Sequence, residues 1–188
     1  MARARQEPGA LVIGIDASAA GMAESSLRAA RSTRRGGLPN ALFVAAAAEC
    51  PPEELTGLAD ELTILFPWGS LLRGTLALDD AAAAGIARLM RPGGRVEAFV
   101  SITERDGLGL PPLCAQDGAL IAGRWARHGL TLEGFAPATA DDIATSGSTW
   151  ARRLDADGAH RTGRRPSESG LPQRPTWRLV LRQDGDLD

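Results

Sequence analysis

Two hydrophobic rhythms alternate along this chain. Gly9–Asp16 carries the unbroken apolar run Leu11-Val12-Ile13-Gly14-Ile15 and ends in an acid. A short continuous block of this kind reads as a strand buried on both faces. Further strands are predicted at Ala41–Ala47, Leu62–Phe66, Arg95–Ile102, Leu130–Phe135 and Trp177–Arg182. Between them the spacing turns helical. Met22–Ser32 places Leu27 and several alanines on one face, with Ser18 upstream as a cap. Asp79–Met90 opens on Asp79 or Asp80 and is closed by Pro92-Gly93-Gly94. Asp117–His128 predicts another helix, and Ala140–Leu154 a helix-rich stretch. Ala2–Gln6 reads as a last helical turn, and Pro51-Pro52-Glu53-Glu54 as the start of a short one. Strand alternating with helix predicts an α/β fold on a largely parallel sheet, with residues 1–188 as one domain. Glu104–Pro112 and Arg161–Pro175 are predicted loops, the second from its Arg, Ser, Pro and Gly content, and Gln183–Asp188 is a predicted fraying tail.

The third strand runs straight into Phe66-Pro67-Trp68-Gly69-Ser70-Leu71-Leu72-Arg73. Proline and glycine stop the strand and hold a tryptophan at its carboxyl end, where open α/β sheets bind ligands. A broad aromatic there suits a flat substrate better than a core. Trp150, in Ser148-Thr149-Trp150-Ala151-Arg152-Arg153, stands in a comparable setting. The two rings are expected to grip a planar base between them. Trp125 and Trp177 fall inside periodic segments and are expected in the core.

Charge adds a second pattern. The net charge is −2, which argues against a generic nucleic-acid binder. Yet residues 1–40 hold six arginines against three acids, and residues 148–188 hold eight against six, while the middle is strongly acidic. If the two ends of the chain meet on one face, they form a phosphate-binding surface. No apolar run approaches the ~18 residues of a membrane span, and no secretory leader is visible, so the cytoplasm is the expected compartment. Cys50 and Cys114 are expected as reduced thiols packed as small hydrophobes, and His128 and His160 as surface or cap residues; no metal site is expected.

One feature departs from a doubly wound cofactor fold. Such folds open with a strand and a glycine-rich turn whose amides approach the ligand. Here the first strand ends instead in Asp16, a carboxylate suited to a ribose diol, and Gly36-Gly37 and Gly93-Gly94 each precede a strand.

GGLPN (36–40), FVAAAAECPP (43–52), FPWGSLLRG (66–74), RPGG (91–94) and STWARRL (148–154) together resemble the aminoglycoside-resistance methyltransferases of 16S rRNA that modify N1 of adenine 1408. The resemblance runs from about Ala2 to Arg182. It implies a class I methyltransferase fold, a Rossmann-like sheet with helices on both faces, using S-adenosyl-L-methionine on 16S rRNA in the 30S subunit. It further implies that Asp16 holds the cofactor ribose and that Ala48 and Glu49 flank its adenine. Trp68 and Trp150 would sandwich a flipped target adenine, with Ser148 organising the site. Arg28, Arg31, Arg34, Arg35, Arg152 and Arg153 would meet rRNA phosphates. By the same resemblance the chain is expected to begin after the glycine-rich first-strand motif, as an N-terminally truncated member acting as a monomer. Two other readings stand beside it: a methyltransferase of another RNA or of a planar metabolite, and a non-catalytic rRNA-binding remnant.

Overall fold

The computed structural model describes residues 1–103, 109–146 and 175–185. Six strands and six helices follow one another: α1 (Ala2–Gln6), β1 (Val12–Asp16), α2 (Ala19–Ala29), β2 (Ala41–Ala45), β3 (Ala59–Leu65), α3 (Gly69–Thr75), α4 (Asp80–Leu89), β4 (Met90–Val100), α5 (Asp117–Ala126), β5 (Leu130–Pro137), α6 (Ala140–Thr145) and β6 (Trp177–Gln183). Each predicted strand is present, with shifted ends. Helix α2 begins three residues earlier than its apolar spacing suggests, because the Ser18 hydroxyl accepts the Gly21 N–H at 3.2 Å and starts the helix there. Asp79 caps α4 by accepting the Ala82 N–H at 3.1 Å.

Helix α3 was not visible in the sequence pattern. Its glycines, Gly69 and Gly74, argue against a helix on propensity. Packing overrides them: a side chain at Gly74 would lie 2.5 Å from the Ala82 side chain, so α3 and α4 meet nearly backbone to backbone. The start of β4 also differs from expectation. The chain passes from α4 into the strand at Met90 without a loop, so Gly93 and Gly94 lie inside β4, beside a register shift between Ala59 and Glu61.

Parallel pairing holds for β1–β2 and for β3–β4. The expectation of a parallel sheet fails at β6, which runs antiparallel between β4 and β5 in a sheet ordered β3-β4-β6-β5. An antiparallel neighbour needs no crossover to the far end of the sheet, which allows β6 to insert between two like-directed strands. Strands β1 and β2 form a separate pair.

Helices flank both faces. Leu62, Ile64, Val96, Ala98, Leu179 and Leu181 point to one side, where Leu72, Ile86, Ile121 and Trp125 from α3, α4 and α5 complete the main core. Ala4 of α1 and Ala29 of α2 close a smaller cluster on β1–β2 with Ala41, Val12 and Phe43. Arg3 of α1 is ion-paired to Glu61, tying this unit to the start of β3. Within the unit, Asn40 holds α1 and the following turn by donating its amide to the carbonyls of Ala4, Glu7 and Ala10. Asp16 ends β1, and the turn Phe66-Pro67-Trp68-Gly69 follows the carboxyl end of β3.

Candidate active site

Two features stand at those carboxyl ends. The first is built on Asp16. Its side chain accepts the Ser18 N–H at 2.7 Å, and its carbonyl accepts the Ala46 N–H at 3.1 Å. The second bond continues the β1–β2 pairing one residue past β2, toward the loop that carries Ala48 and Glu49. Asp16 is not itself the cap of α2; Ser18 fills that role. The Asp16 carboxylate is exposed, while Ala48 and Glu49 are half-buried. The loop is seated on α4. The Ala48 carbonyl lies where a side chain at Gly85 would be, 1.8 Å from the position of its Cβ, and Arg88 donates to the Pro51 carbonyl at 2.9 Å. This cradle depends on Gly85, which no motif in the sequence singled out.

An exposed carboxylate beside a half-buried alanine shelf fits the nucleoside half of S-adenosyl-L-methionine: a diol for Asp16, a flat ring for the Ala48–Glu49 backbone. The methionine half is different. Among the described residues no strand ends in a glycine-rich turn.

The second feature is Trp68. Phe66 still pairs with the neighbouring strand through its N–H to the Phe99 carbonyl at 2.8 Å, but its φ is +48°. A bulky residue in the left-handed region costs about 1–3 kcal/mol, and strain of this kind gathers where function requires it. Pro67 is buried, Trp68 is extended at φ −132° and ψ 161°, and Gly69 returns to positive φ at +58°. The turn lifts the indole out of the sheet and leaves it 58% exposed. Helix α3 is fixed behind it. Leu72 is fully buried, the Thr75 hydroxyl donates to the Leu71 carbonyl at 2.7 Å, and Trp125 Nε1 donates to the Thr75 carbonyl at 3.1 Å. Trp125 and Trp177 are core residues as expected, at 0% and 8% exposure, with Trp177 stacked on Phe135 at 4.5 Å. Trp68 thus differs from the other described tryptophans in offering its ring to solvent.

The basic residues divide. Arg28 lies on α2 and pairs with Glu24 at 3.6 Å. Arg31, Arg34 and Arg35 are exposed and have no acidic partner among the described residues. They stand between α2 and β2, at the end of the β1–β2 pair opposite Asp16. Five strand residues span about 17 Å, so these arginines are near the site without lining it. Ser148, Trp150, Arg152 and Arg153 lie outside the described residues; the described chain approaches them through α6.

One smaller expectation is corrected. Cys50 and Cys114 are both exposed rather than packed, because each falls in a loop. His128 follows the end of α5, where its N–H is donated to the Trp125 carbonyl at 2.8 Å, and its side chain is 9% exposed, set edge-on to Trp125 with Nε2 3.2 Å from Asp80. A cavity of about 140 Å³ lies between the α3–α4 turn and α5, lined mainly by Leu76, Leu78, Ile102, Leu113 and Ile121, and holds none of the candidate site residues.

A family model for NpmA, 16S rRNA (adenine(1408)-N(1))-methyltransferase, matches residues 1–165. The 16S rRNA (adenine(1408)-N(1))-methyltransferase of Streptoalloteichus hindustanus is 35% identical over 158 residues, which are 81% of this chain and 73% of that protein. The chain belongs to the 16S rRNA (adenine(1408)-N(1))-methyltransferase family. Solved structures agree. A tryptophan-to-alanine mutant of the Catenulisporales acidiphilia 16S rRNA (adenine(1408)-N(1))-methyltransferase, with its cosubstrate SAM, superimposes with a TM-score of 0.81 at 27% identity, covering 100% of this chain and 81% of its own. The aminoglycoside resistance methyltransferase NpmB1 gives 0.72 at 33% identity, covering 97% of this chain and 80% of its own. For a 16S rRNA adenine-N1 methyltransferase the geometry has a simple logic. N1 of adenine carries its own lone pair, so the protein's task is to position a base against a donor rather than to move protons.

Proposed function

We propose that this chain transfers a methyl group from S-adenosyl-L-methionine to N1 of adenine 1408 of 16S rRNA in the 30S subunit, and in doing so confers aminoglycoside resistance. The observation that carries the reading is Trp68, held 58% exposed by a strained turn at the carboxyl end of β3. The cofactor, when bound, supplies an electrophilic methyl group; the rest falls to side chains. Asp16 holds the ribose and the Ala48–Glu49 loop holds the adenine ring of the donor. The target base leaves its helical stack, at a cost of a few kcal/mol. Trp68 on one face and Trp150 on the other return about 1–3 kcal/mol for the stacked base. Ser148 orders the Trp150 side of the slot. Arg31, Arg34 and Arg35, with Arg28, Arg152 and Arg153, meet phosphates and fix the register of the rRNA. The protein works as a monomer in the cytoplasm, where 30S subunits are found.

The test is incubation of purified chain with 30S subunits and tritiated S-adenosyl-L-methionine, followed by primer extension. A methyl group on N1 blocks base pairing, so reverse transcriptase stops at adenine 1408. Label at another nucleotide, or none in 30S subunits, overturns the reading.

A second reading draws on the exposed Arg31, Arg34 and Arg35, which have no acidic partner among the described residues: a non-catalytic rRNA-binding protein. Calorimetry with S-adenosylhomocysteine separates the two. Binding heat supports the methyltransferase; retained 30S binding with no heat supports the second reading.

A further inference from the structure

We propose that Arg73 is a phosphate-binding residue that holds the rRNA strand beside the base stacked on Trp68; the inference rests on the methyltransferase reading. The arginines of the described chain fall into two groups. Arg3, Arg28, Arg91, Arg95, Arg178 and Arg182 are ion-paired to acids. Arg73 is exposed and has no such partner among the described residues. Its backbone is nonetheless tightly held. The Arg73 carbonyl accepts the N–H groups of both Leu78 and Asp79, at 2.7 and 3.3 Å, so the base of this side chain is anchored while its guanidinium is unclaimed.

Its place in the fold gives that guanidinium a direction. In α3, Leu72 and Thr75 are buried in the core and Gly74 is packed against Ala82, which leaves Ser70 and Arg73 as the exposed positions. Trp68 occupies the N-cap of the same helix. Five residues at a rise of 1.5 Å place the Arg73 backbone about 7.5 Å along the axis from Trp68. An extended arginine side chain covers that interval. A base stacked on Trp68 remains attached to its backbone, and the phosphates on either side of it come within range of a fork that matches phosphate geometry. Arg31, Arg34 and Arg35 lie by the far strand ends and cannot serve this nucleotide. Arg73 is the described cation that shares a helix with the stacking ring.

The bland alternative is a solvated arginine that complements the helix dipole at the end of α3. The two differ in salt dependence. Equilibrium binding of 30S subunits is measured for the wild-type chain and for Arg73→Ala, Arg73→Lys and Arg73→Glu between 50 and 200 mM salt, with circular dichroism as a check on folding. Loss of one phosphate contact lowers the slope of log K against log salt by about one. The expected result is binding weakened by about 3- to 10-fold in Arg73→Ala, further in Arg73→Glu, and restored only in part in Arg73→Lys, which keeps the charge and loses the fork. Wild-type affinity and slope in Arg73→Ala overturn the proposal. Trp68→Ala methylation, assayed in parallel, separates the two failures. If Trp68→Ala stays active, the base-slot reading falls; if Trp68→Ala is inactive while Arg73→Ala binds normally, only the Arg73 assignment falls.

Discussion

Trp125 Nε1 donates a 3.1 Å hydrogen bond to the Thr75 carbonyl, which joins the middle of the core to the last residue of α3. Trp68 lies at the other end of that short helix, so the buried indole sets the position of the exposed one. Trp125→Phe keeps an aromatic ring and loses the donor. The orphaned Thr75 carbonyl destabilises the fold by about 1–3 kcal/mol. Urea titration should show a lower midpoint at unchanged slope, and methylation of 30S subunits should fall although Trp125 never meets substrate. Unaltered stability and turnover would show that α3 is held by its other contacts alone.

Trp68→Ala should behave in the reverse way. The ring is 58% exposed, so its removal changes stability by no more than about 0.5 kcal/mol. Loss of a stacking face worth about 1–3 kcal/mol lowers kcat/KM by roughly 10- to 100-fold. Trp68→Phe should recover part of the loss, since phenylalanine also presents a flat face. Steady-state methylation kinetics paired with thermal unfolding separates the outcomes. A variant that is both unstable and inactive would place Trp68 in a structural role.

What could be read in the sequence follows from how local each feature is. The Leu62–Phe66 strand, the proline stop and the projecting Trp68 are encoded in consecutive residues, and the structure places them as the pattern predicts. The same holds for Asp16 at the end of an apolar run. Helix α3 could not be read, because Gly74 at its centre of contact is explained only by the close approach of Ala82 on α4. Gly85 was silent for the same reason: its meaning lies in the Ala48 carbonyl, 37 positions away in the chain. The reversed direction of β6 was also hidden, since an apolar alternation such as Leu179-Val180-Leu181 carries no sign of which way its neighbour runs.

Gly85→Ala tests the cradle. The added methyl group would lie 1.8 Å from the Ala48 carbonyl oxygen and 3.1 Å from Pro51 Cδ. The clash is with backbone, so either α4 or the loop must move. Overpacking of this kind costs about 1–3 kcal/mol, partly offset by about 1 kcal/mol of helix propensity. The net loss in stability is therefore small. A displaced loop carries Ala48 and Glu49 away from Asp16, and affinity for S-adenosylhomocysteine should drop about tenfold or more. Calorimetry on the folded variant reads this directly. Wild-type affinity would mean that the loop does not touch the donor.

Helix α6 precedes Ser148 and Trp150 in the chain, and its start is acid-sensitive. Thr139 and Asp142 form a reciprocal cap: the Thr139 hydroxyl accepts the Asp142 N–H at 3.1 Å, and the Asp142 carboxylate accepts from the Thr139 hydroxyl and N–H at 2.7 and 2.9 Å. These bonds, the hydroxyl first and then the backbone, hold the Asp142 carboxyl below its ordinary value of 3.8, with a smaller contribution from Arg178. A depressed carboxyl favours the folded helix at every pH above 3.8, and that support disappears as pH falls through the lower folded value. The α6 amides should therefore lose exchange protection in acid below that point. Thr139→Ala removes the hydroxyl, so the Asp142 carbon signal should titrate closer to 3.8 and α6 should fray even at neutral pH. Carboxyl-detected NMR titration of both proteins supplies the comparison. Equal midpoints would assign the depression to Arg178 and the backbone, and would remove the cap as the source of acid sensitivity in α6.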